Sequence, residues 1–338
     1  MGNNNAMVHQ YIERKTSQVV DEKLYFDEWV RLLFSRQREN AQKLYNILGS
    51  KRTTRFLSFL NYDAPGVLKG IYAGRLIRQL GIDLSECVES PEKLDSPKKI
   101  FERKIKYWET RPLPDDPDAV VSPADAKMLA GSFSDTNGLF LKEKFFEFHE
   151  LLGPEKLPWI NAFADGLFAV FRLTPEKYHY NHVPVSGKIL DIYEIEGACH
   201  SCNPSAVVPL ATPYSKNKRV VTIMDTDVDQ GSRMGLVAMI EITALLIGDI
   251  IQCYSENGYD QPLDIRPGMF LKMGNPKSLY RPGSSVDVLI FQKDRIRFCE
   301  DIVFNMYHAY ARSRLSHGFG RPLVETDVPV RSMIARKS

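Results

Sequence analysis

The feature that most constrains the fold of this chain is a change in the spacing of its apolar residues. From residue 22 to residue 81 the spacing is helical, with Phe26, Trp29 and Leu33 recurring at intervals of three and four. After residue 119 it changes to short apolar runs that are separated by glycine and proline and are typical of buried strands. These runs are residues 167–173, 187–195, 219–224 and 286–291.

The longest apolar stretch, residues 235–251, is interrupted by Glu241 and Asp249 and is rich in β-branched residues. A membrane-spanning helix needs about 20 predominantly apolar residues, so this stretch is predicted to form buried strands. The expected fold is therefore α+β, with a mainly antiparallel β domain after a helical N-terminal region. The N-terminal region is assigned to residues 1–95 and the β domain to residues 96–338.

Two further helices are predicted, at residues 98–107 and 295–313, and residues 83–118 are interpreted as a proline-rich connecting segment. Residues 51–78 carry six basic side chains against the single acid Asp63, interleaved with apolar residues. Such a surface suits contact with an anionic membrane. It equally suits a helical cap on the β domain with solvated basic residues, and both interpretations stay open.

Composition excludes several classes of function. The chain has 44 basic and 42 acidic residues and a net charge of +2, so nothing in its charge indicates nucleic-acid binding. No N-terminal apolar segment with a cleavage site is present, so we expect a cytoplasmic protein, peripheral on a membrane, rather than a secreted one. Five cysteines form no disulfide framework. Cys199 and Cys202 have C-x-x-C spacing but no second pair, and are interpreted as incidental thiols.

The dipeptide Gly283-Ser284 stands directly before the strand-like run at residues 286–291. A serine hydroxyl can attack the preceding carbonyl and convert the amide into an ester. Elimination and hydrolysis then leave an N-terminal pyruvoyl group, a ketone that traps amines and accepts electrons. The same dipeptide occurs at residues 49–50, 131–132 and 231–232, and by itself it is ordinarily a turn.

Serine attack requires a base, which a histidine oriented by a carboxylate supplies at neutral pH. His179 and His182 lie three residues apart in a loop that also contains prolines and a glycine. Asp125 follows an apolar run and a Ser-Pro turn. No third ligand with convincing spacing accompanies the histidines, so a metal site is not predicted.

The order of these motifs resembles the phosphatidylserine decarboxylase family. The resemblance rests on Ser-Pro-Ala-Asp at residues 122–125, Leu-x-Pro-x-x-Tyr-His-x-x-His-x-Pro-x-x-Gly at residues 173–187 and Gly-Ser-Ser at residues 283–285. It covers most of the chain after residue 96. The chain departs from the family at Ala126, at Tyr180 and in residues 271–282, which lengthen the approach to the scissile bond.

The resemblance implies a self-cleaving proenzyme with a covalent pyruvoyl cofactor derived from Ser284. Ser284 would attack the Gly283 carbonyl while His182, held by Asp125, acts as the base. Cleavage would produce a β chain of residues 1–283 and an α chain of residues 284–338.

The resemblance also assigns roles in the decarboxylation itself. His179 would protonate the substrate carbon after carbon dioxide leaves, and Tyr178 and Asn181 would shape the substrate pocket. Relatives suggest a homodimer.

Three functions follow from these motifs. The leading expectation is decarboxylation of phosphatidylserine to phosphatidylethanolamine. The rival is decarboxylation of a free aromatic amino acid such as tryptophan, because residues 239–243 resemble a segment of relatives with that activity. The third is a non-enzymatic binding protein of the same fold, whose self-cleavage the segment 271–282 has abolished.

Overall fold

The computed structural model describes residues 8–24, 69–134, 145–197, 204, 213–244, 249–281, 285–319 and 322–338. Strands predominate among these residues and nearly all pair antiparallel, which confirms the predicted α+β class. The strands are β1 Gln10–Glu13, β2 Gln18–Asp21, β3 Ala119–Val121, β4 Ala126–Ser132, β5 Leu167–Leu173, β6 Tyr180–His182, β7 Gly187–Ile195, β8 Arg219–Asp225, β9 Leu236–Thr243, β10 Ile250–Gln252, β11 Phe270–Leu271, β12 Pro276–Tyr280, β13 Ser285–Phe291, β14 Ile296–Phe298, β15 Thr326–Val328 and β16 Met333–Lys337.

The described helices are short. They are α1 Lys69–Leu80, α2 Pro97–Phe101, α3 Tyr107–Thr110, α4 Phe148–Leu152, α5 Leu157–Phe163, α6 Pro213–Lys216, α7 Glu300–Met306 and α8 Arg314–Phe319. None of them combines the length and the apolarity that crossing a bilayer requires.

The largest sheet has ten strands in the order β11-β7-β8-β9-β13-β5-β4-β15-β1-β2. Among the strands that the structure describes, only the β1–β15 pair is parallel. Two three-stranded sheets accompany it, with the orders β10-β12-β6 and β14-β16-β3. Strand β13, which directly follows the predicted cleavage site, lies inside the large sheet and pairs along its full length with β5 and β9.

The two faces of β13 contact different parts of the core, because side chains alternate along a strand. Val286, Val288 and Ile290 pack in a cluster with residues of α4 and α5. Leu289 and Phe291 belong to a second cluster that includes Tyr280 and other residues outside the large sheet. Ser285 and Asp287 alternate in phase with Leu289 and Phe291, so they lie on the face toward this second cluster.

A buried ion-pair network attaches the N-terminal hairpin β1–β2 to the large sheet. Arg172 on β5 donates to both oxygens of Glu325, at 2.8 and 2.5 Å, and to both oxygens of Glu22, at 2.9 and 2.6 Å. His9 lies 3.0 Å from Glu325. His9, Glu22 and Glu325 have the composition of a metal-binding group. Arg172 nevertheless engages both carboxylates, so the structure assigns them to the ion-pair network.

The structure differs from the predicted helical N-terminal region and from two of the predicted helices. Within residues 1–95, which were expected to be helical, residues 10–13 and 18–21 are strands of the large sheet. The segment 98–107 is divided between α2 and α3. The segment 295–313 begins as strand β14, which pairs antiparallel with β16 and buries Ile296 while Arg297 is exposed. Its helix, α7, ends at Met306.

The basic segment of the N-terminal region lies largely outside the described residues, which begin again at residue 69. In α1, Ala73, Ile77 and Leu80 pack against Leu94 and Ile100, so this helix packs on the chain that follows it. Cys199 and Cys202 also lie outside the described residues.

Candidate active site

A backbone hydrogen bond brings the two predicted motifs together. The amide of His182, the last residue of β6, donates to the carbonyl of Pro123 at 2.7 Å. Pro123 belongs to the turn between β3 and β4 that carries Asp125. The sequence places these motifs more than fifty residues apart, and the sheet makes them neighbours.

Asp125 is almost fully buried and is held by Arg111 rather than by a histidine. Arg111 donates from Nε to Oδ1 and from Nη2 to Oδ2, each at 3.1 Å, and the Val330 amide donates to Oδ1 at 2.7 Å. Burial disfavours the charged carboxylate, but the charge and hydrogen bonds of Arg111 outweigh it and lower the pKa of Asp125. Arg111 also bonds both oxygens of Glu86, at 2.9 and 3.0 Å.

The predicted contact between Asp125 and His182 is not formed. His182 is fully buried, its Nδ1 lies 2.7 Å from the carbonyl oxygen of Gly274, and its Nε2 lies 3.0 Å from the hydroxyl of Tyr178. A carbonyl only accepts, so Nδ1 carries the proton and Nε2 accepts from Tyr178. The backbone of residue 274 thus sets the tautomer that was expected to be set by Asp125.

Burial lowers the pKa of His182 to about 3, with only partial compensation by its bond to Gly274. The ring is therefore neutral at pH 7, with the Nε2 lone pair directed at Tyr178. Tyr178 in turn lies 2.7 Å from the hydroxyl of Tyr259, which accepts from the Ile105 amide at 3.1 Å. A neutral imidazole with an unprotonated Nε2 is the form that general-base catalysis requires.

His179 has a different environment. It is fully buried, and neither ring nitrogen has a hydrogen-bond partner among the described residues. Its ring lies 4.9 Å from that of Phe101, centroid to centroid. Burial lowers its pKa to about 3, and the nearby Arg103 charge acts in the same direction. The Lys177 backbone acts in the opposite direction, through a contact that falls short of hydrogen-bond geometry. Buried polar groups are nearly always hydrogen-bonded, so this imidazole indicates a site for a reacting group.

The predicted cleavage site lies outside the described residues, which stop at Arg281 and resume at Ser285. The residues on both sides of it are described and lie close to the predicted site residues. On one side the amide of Tyr280 donates to the carbonyl of His179 at 3.0 Å. On the other, Ser285 begins β13, is fully buried, and has a hydroxyl without a partner among the described residues.

The segment 271–282, noted above as a departure from the family, forms part of the site. Its strand β12 pairs with β6, which places Ser278 opposite Asn181 and Leu279 opposite Tyr180. Its Gly274 carbonyl accepts from His182. The segment therefore packs directly on the strand that carries the predicted base.

A buried polar network between the sheets was missed by the sequence analysis. Glu241 on β9 accepts from Lys277 at 2.8 Å, from Gln252 at 2.9 Å and from Asn181 at 3.3 Å. It also accepts from Ser278, and both Glu241 and Lys277 are fully buried. Asn181, predicted to shape the pocket, thus lies in this network.

Asp287 on β13 lies directly opposite Glu241 in the sheet. Burial, together with the Glu241 charge, raises the pKa of Asp287 well above its usual value. Glu241 and Asp287 interrupt apolar strands, and buried charges of this kind are rare. That interruption was the only sequence signal available for the network.

Comparison with known proteins connects this geometry to one family. The family described as phosphatidylserine decarboxylase matches residues 98–314. A phosphatidylserine decarboxylase proenzyme of Fusobacterium nucleatum is 28% identical over 88% of this chain and 91% of its own length. The proenzyme of Ruminiclostridium cellulolyticum is 30% identical over 67% of this chain and 69% of its own length. The proenzyme of Clostridium tetani is 25% identical over 89% of this chain and 94% of its own length.

Proposed function

The chain belongs to the phosphatidylserine decarboxylase family, whose members are carboxy-lyases, and on this premise we propose that it decarboxylates phosphatidylserine to phosphatidylethanolamine after cleaving itself at Gly283-Ser284. The observation that carries the proposal is the position of His179. Its unpartnered, buried ring is connected through its own backbone to Tyr280, four residues before Ser284.

In the self-cleavage step, the Ser284 hydroxyl attacks the Gly283 carbonyl carbon. The amide C–N bond breaks, the nitrogen takes a proton, and an ester joins the two halves. Removal of the Cα proton of residue 284 expels the Gly283 carboxylate and leaves dehydroalanine, which water converts into a pyruvoyl group with release of ammonia. His182 is the proposed base, because its Nε2 lone pair is fixed by the Gly274 carbonyl on the opposite nitrogen.

The residues around the site fit a pyruvoyl group with a bound amino acid. Buried groups around the site that lack hydrogen-bond partners among the described residues include the His179 ring nitrogens, Ser285 Oγ, Asn181 Oδ1 and Asp287 Oδ2. The pyruvoyl group, when present, supplies an electron sink for decarboxylation. His179 is the proposed donor of the proton that the substrate carbon takes up: its neutral ring first accepts the proton that the substrate amine releases and then passes it on.

Denaturing gel electrophoresis and mass spectrometry test the cleavage. The purified protein is expected to give two bands, and the smaller fragment should begin with a pyruvoyl group at position 284. Ser284→Ala should give one band at full length, while Ser232→Ala, at another Gly-Ser dipeptide, should still give two. A single full-length band from active wild-type protein would exclude the pyruvoyl mechanism.

A free aromatic amino acid is the second candidate substrate, and one observation favours it. The segment 239–243, which resembles such relatives, lies in β9, and its Glu241 and Thr243 are paired with Asp287 and Ser285. The segment 239–243 therefore pairs with the strand that follows the predicted cleavage site. Release of carbon dioxide from phosphatidylserine vesicles, compared with release from tryptophan and tyrosine, separates the two candidates.

We also propose peripheral contact with anionic membranes through the basic N-terminal region. Flotation of the full chain with vesicles of phosphatidylserine and phosphatidylcholine should recover the protein, whereas vesicles of phosphatidylcholine alone should not. Equal recovery with both would favour the cap interpretation, in which the basic residues are only solvated.

A further inference from the structure

Tyr280 and Asp287 connect the two sides of the predicted cleavage site. Tyr280 ends β12, four residues before Ser284, and Asp287 lies three residues after it on β13. The Tyr280 hydroxyl lies 2.6 Å from Asp287 Oδ1 and 3.0 Å from the Val286 carbonyl oxygen. It also accepts from the Ile242 amide at 3.1 Å. Both side chains are fully buried.

The number of protons available to this contact indicates whether Asp287 is ionised or neutral. Tyr280 has one hydroxyl proton but faces two oxygens, so an ionised Asp287 would leave one of these contacts without a proton. A protonated Asp287 resolves this, since it donates to Tyr280 while Tyr280 donates to Val286. The carboxyl is buried opposite Glu241, which is itself paired with Lys277, and both burial and the Glu241 charge favour the neutral acid.

The same tyrosine also contacts the catalytic histidine motif. Its backbone amide donates to the His179 carbonyl at 3.0 Å, and its β12 neighbours Leu279 and Ser278 pair with β6. One residue therefore joins three elements: the histidine motif, the strand before the cleavage site and the strand after it.

We propose that Tyr280 and Asp287 are positioning residues for self-cleavage, because their hydrogen bond fixes strands β12 and β13 relative to each other on the two sides of Gly283-Ser284. The role rests on the proposed cleavage at Gly283-Ser284. Acyl shift depends on placing the reacting atoms about 3–3.5 Å apart, and misplacement by about 1 Å costs about 100-fold in rate. A hydrogen-bonded bridge between the two flanking strands restricts the chain that carries these atoms.

The bridge has a second consequence once the chain is cut. Tyr280 would then belong to the β chain and Asp287 to the α chain, so the bridge becomes an interchain contact. It holds β12 of the β chain against β13 of the α chain after cleavage.

The test measures the rate at which newly translated precursor is cleaved, followed on denaturing gels, for Tyr280→Phe, Asp287→Asn and Asp287→Leu. We expect Tyr280→Phe and Asp287→Leu to slow cleavage by about 10- to 100-fold. Asp287→Asn mimics the neutral acid and keeps a hydrogen-bonding group facing Tyr280, so its rate should stay within about 3-fold of wild type. The double variant Tyr280→Phe with Asp287→Leu should be no slower than the slower single variant, since both remove one bridge.

Tyr254→Phe is the matched control. Tyr254 is also buried, and its hydroxyl accepts from the Lys272 amide at 3.0 Å and lies 3.2 Å from a Glu256 oxygen, away from the cleavage site. It should lose similar stability but cleave at the wild-type rate. Thermal unfolding of each variant in a Ser284→Ala background compares stabilities without cleavage.

Different outcomes would contradict the proposed self-cleavage and the proposed role of the bridge between Tyr280 and Asp287. If wild type is not cleaved, the proposed function fails and the bridge has no role. If wild type is cleaved and Tyr280→Phe matches it, only the bridge is excluded. Equal slowing by Tyr254→Phe, or equal rates for Asp287→Asn and Asp287→Leu, would also exclude it, because the effect would then be one of general stability or of side-chain removal.

Discussion

His182 donates its Nδ1 proton to the carbonyl of Gly274 at 2.7 Å, so a backbone group rather than a carboxylate sets its tautomer. Gly274 has a φ of +81°, a conformation that side chains with a Cβ rarely adopt. A Cβ there would lie 2.6 Å from Leu113 Cδ2 and 3.1 Å from Arg331 Nε. The position of this carbonyl therefore depends on glycine.

We predict that Gly274→Ala destabilises the fold by about 1–3 kcal/mol and slows self-cleavage, because both the backbone strain and the crowding shift the carbonyl away from His182. Urea unfolding in the Ser284→Ala background measures the first effect and precursor cleavage the second. Gly81→Ala is the control, since Gly81 has a φ of +68° but nothing within 4 Å of its added Cβ. Equal cleavage rates for the two variants would contradict the role of Gly274.

The two histidines are predicted to act at different stages. His182→Gln should leave the precursor uncut, because Nε2 of His182 is the proposed base. His179→Gln should still be cut but should lose decarboxylation, because the proposed proton donor is absent. Gel analysis and carbon dioxide release measure the two stages separately. An uncut His179→Gln precursor would show that both imidazoles are needed for cleavage.

The folded protein should begin to lose stability once the pH falls below about 6.5. Burial lowers the pKa of both His179 and His182 to about 3, whereas an unfolded histidine titrates near 6.5. Between these values the unfolded chain binds more protons, so stability is complete above pH 6.5 and is lost as the pH falls toward 3. The expected slope is up to about 1.4 kcal/mol per pH unit for each histidine.

Urea unfolding of the Ser284→Ala protein between pH 7.5 and 5 measures this slope. Adding His182→Gln should lower the slope by up to about 1.4 kcal/mol per pH unit. Adding His149→Gln should leave it unchanged, because His149 is exposed. A slope unchanged by His182→Gln would mean that its ring is protonated in the folded state.

Removal of Arg111 should lower the free energy of unfolding more than removal of an exposed ion-pair partner does. Arg111→Met leaves the Asp125 carboxylate buried without its cation, and breaking such a pair typically costs about 3–5 kcal/mol. Lys99→Met, which removes the exposed partner of Asp95, should cost no more than about 1 kcal/mol. Chemical denaturation compares them, and Asp125→Asn added to Arg111→Met should recover part of the loss. Equal losses for both single variants would contradict this account.

Much of the secondary structure near the site was predictable, because strand periodicity and turn residues are local. The run at 286–291 is the core of β13, and 167–173 and 187–195 match β5 and β7. The predictions fail where packing against distant parts of the chain, rather than the local spacing of apolar residues, decides between helix and strand. Residues 10–13 and 18–21 are too short to reveal a strand alone, and they are attached to the sheet by Arg172, about 150 residues away.

The site shows the same division. The sequence by itself determined the family, the α+β class and the order of Asp125, His179 and His182, because these depend on residue type and spacing. Only the tertiary structure decided that Arg111 binds Asp125, that Gly274 orients His182 and that Tyr280 connects to Asp287. The Gly274–His182 and Arg111–Asp125 pairs join separate segments of the chain, and burial makes each polar group find whichever partner the packing brings within reach.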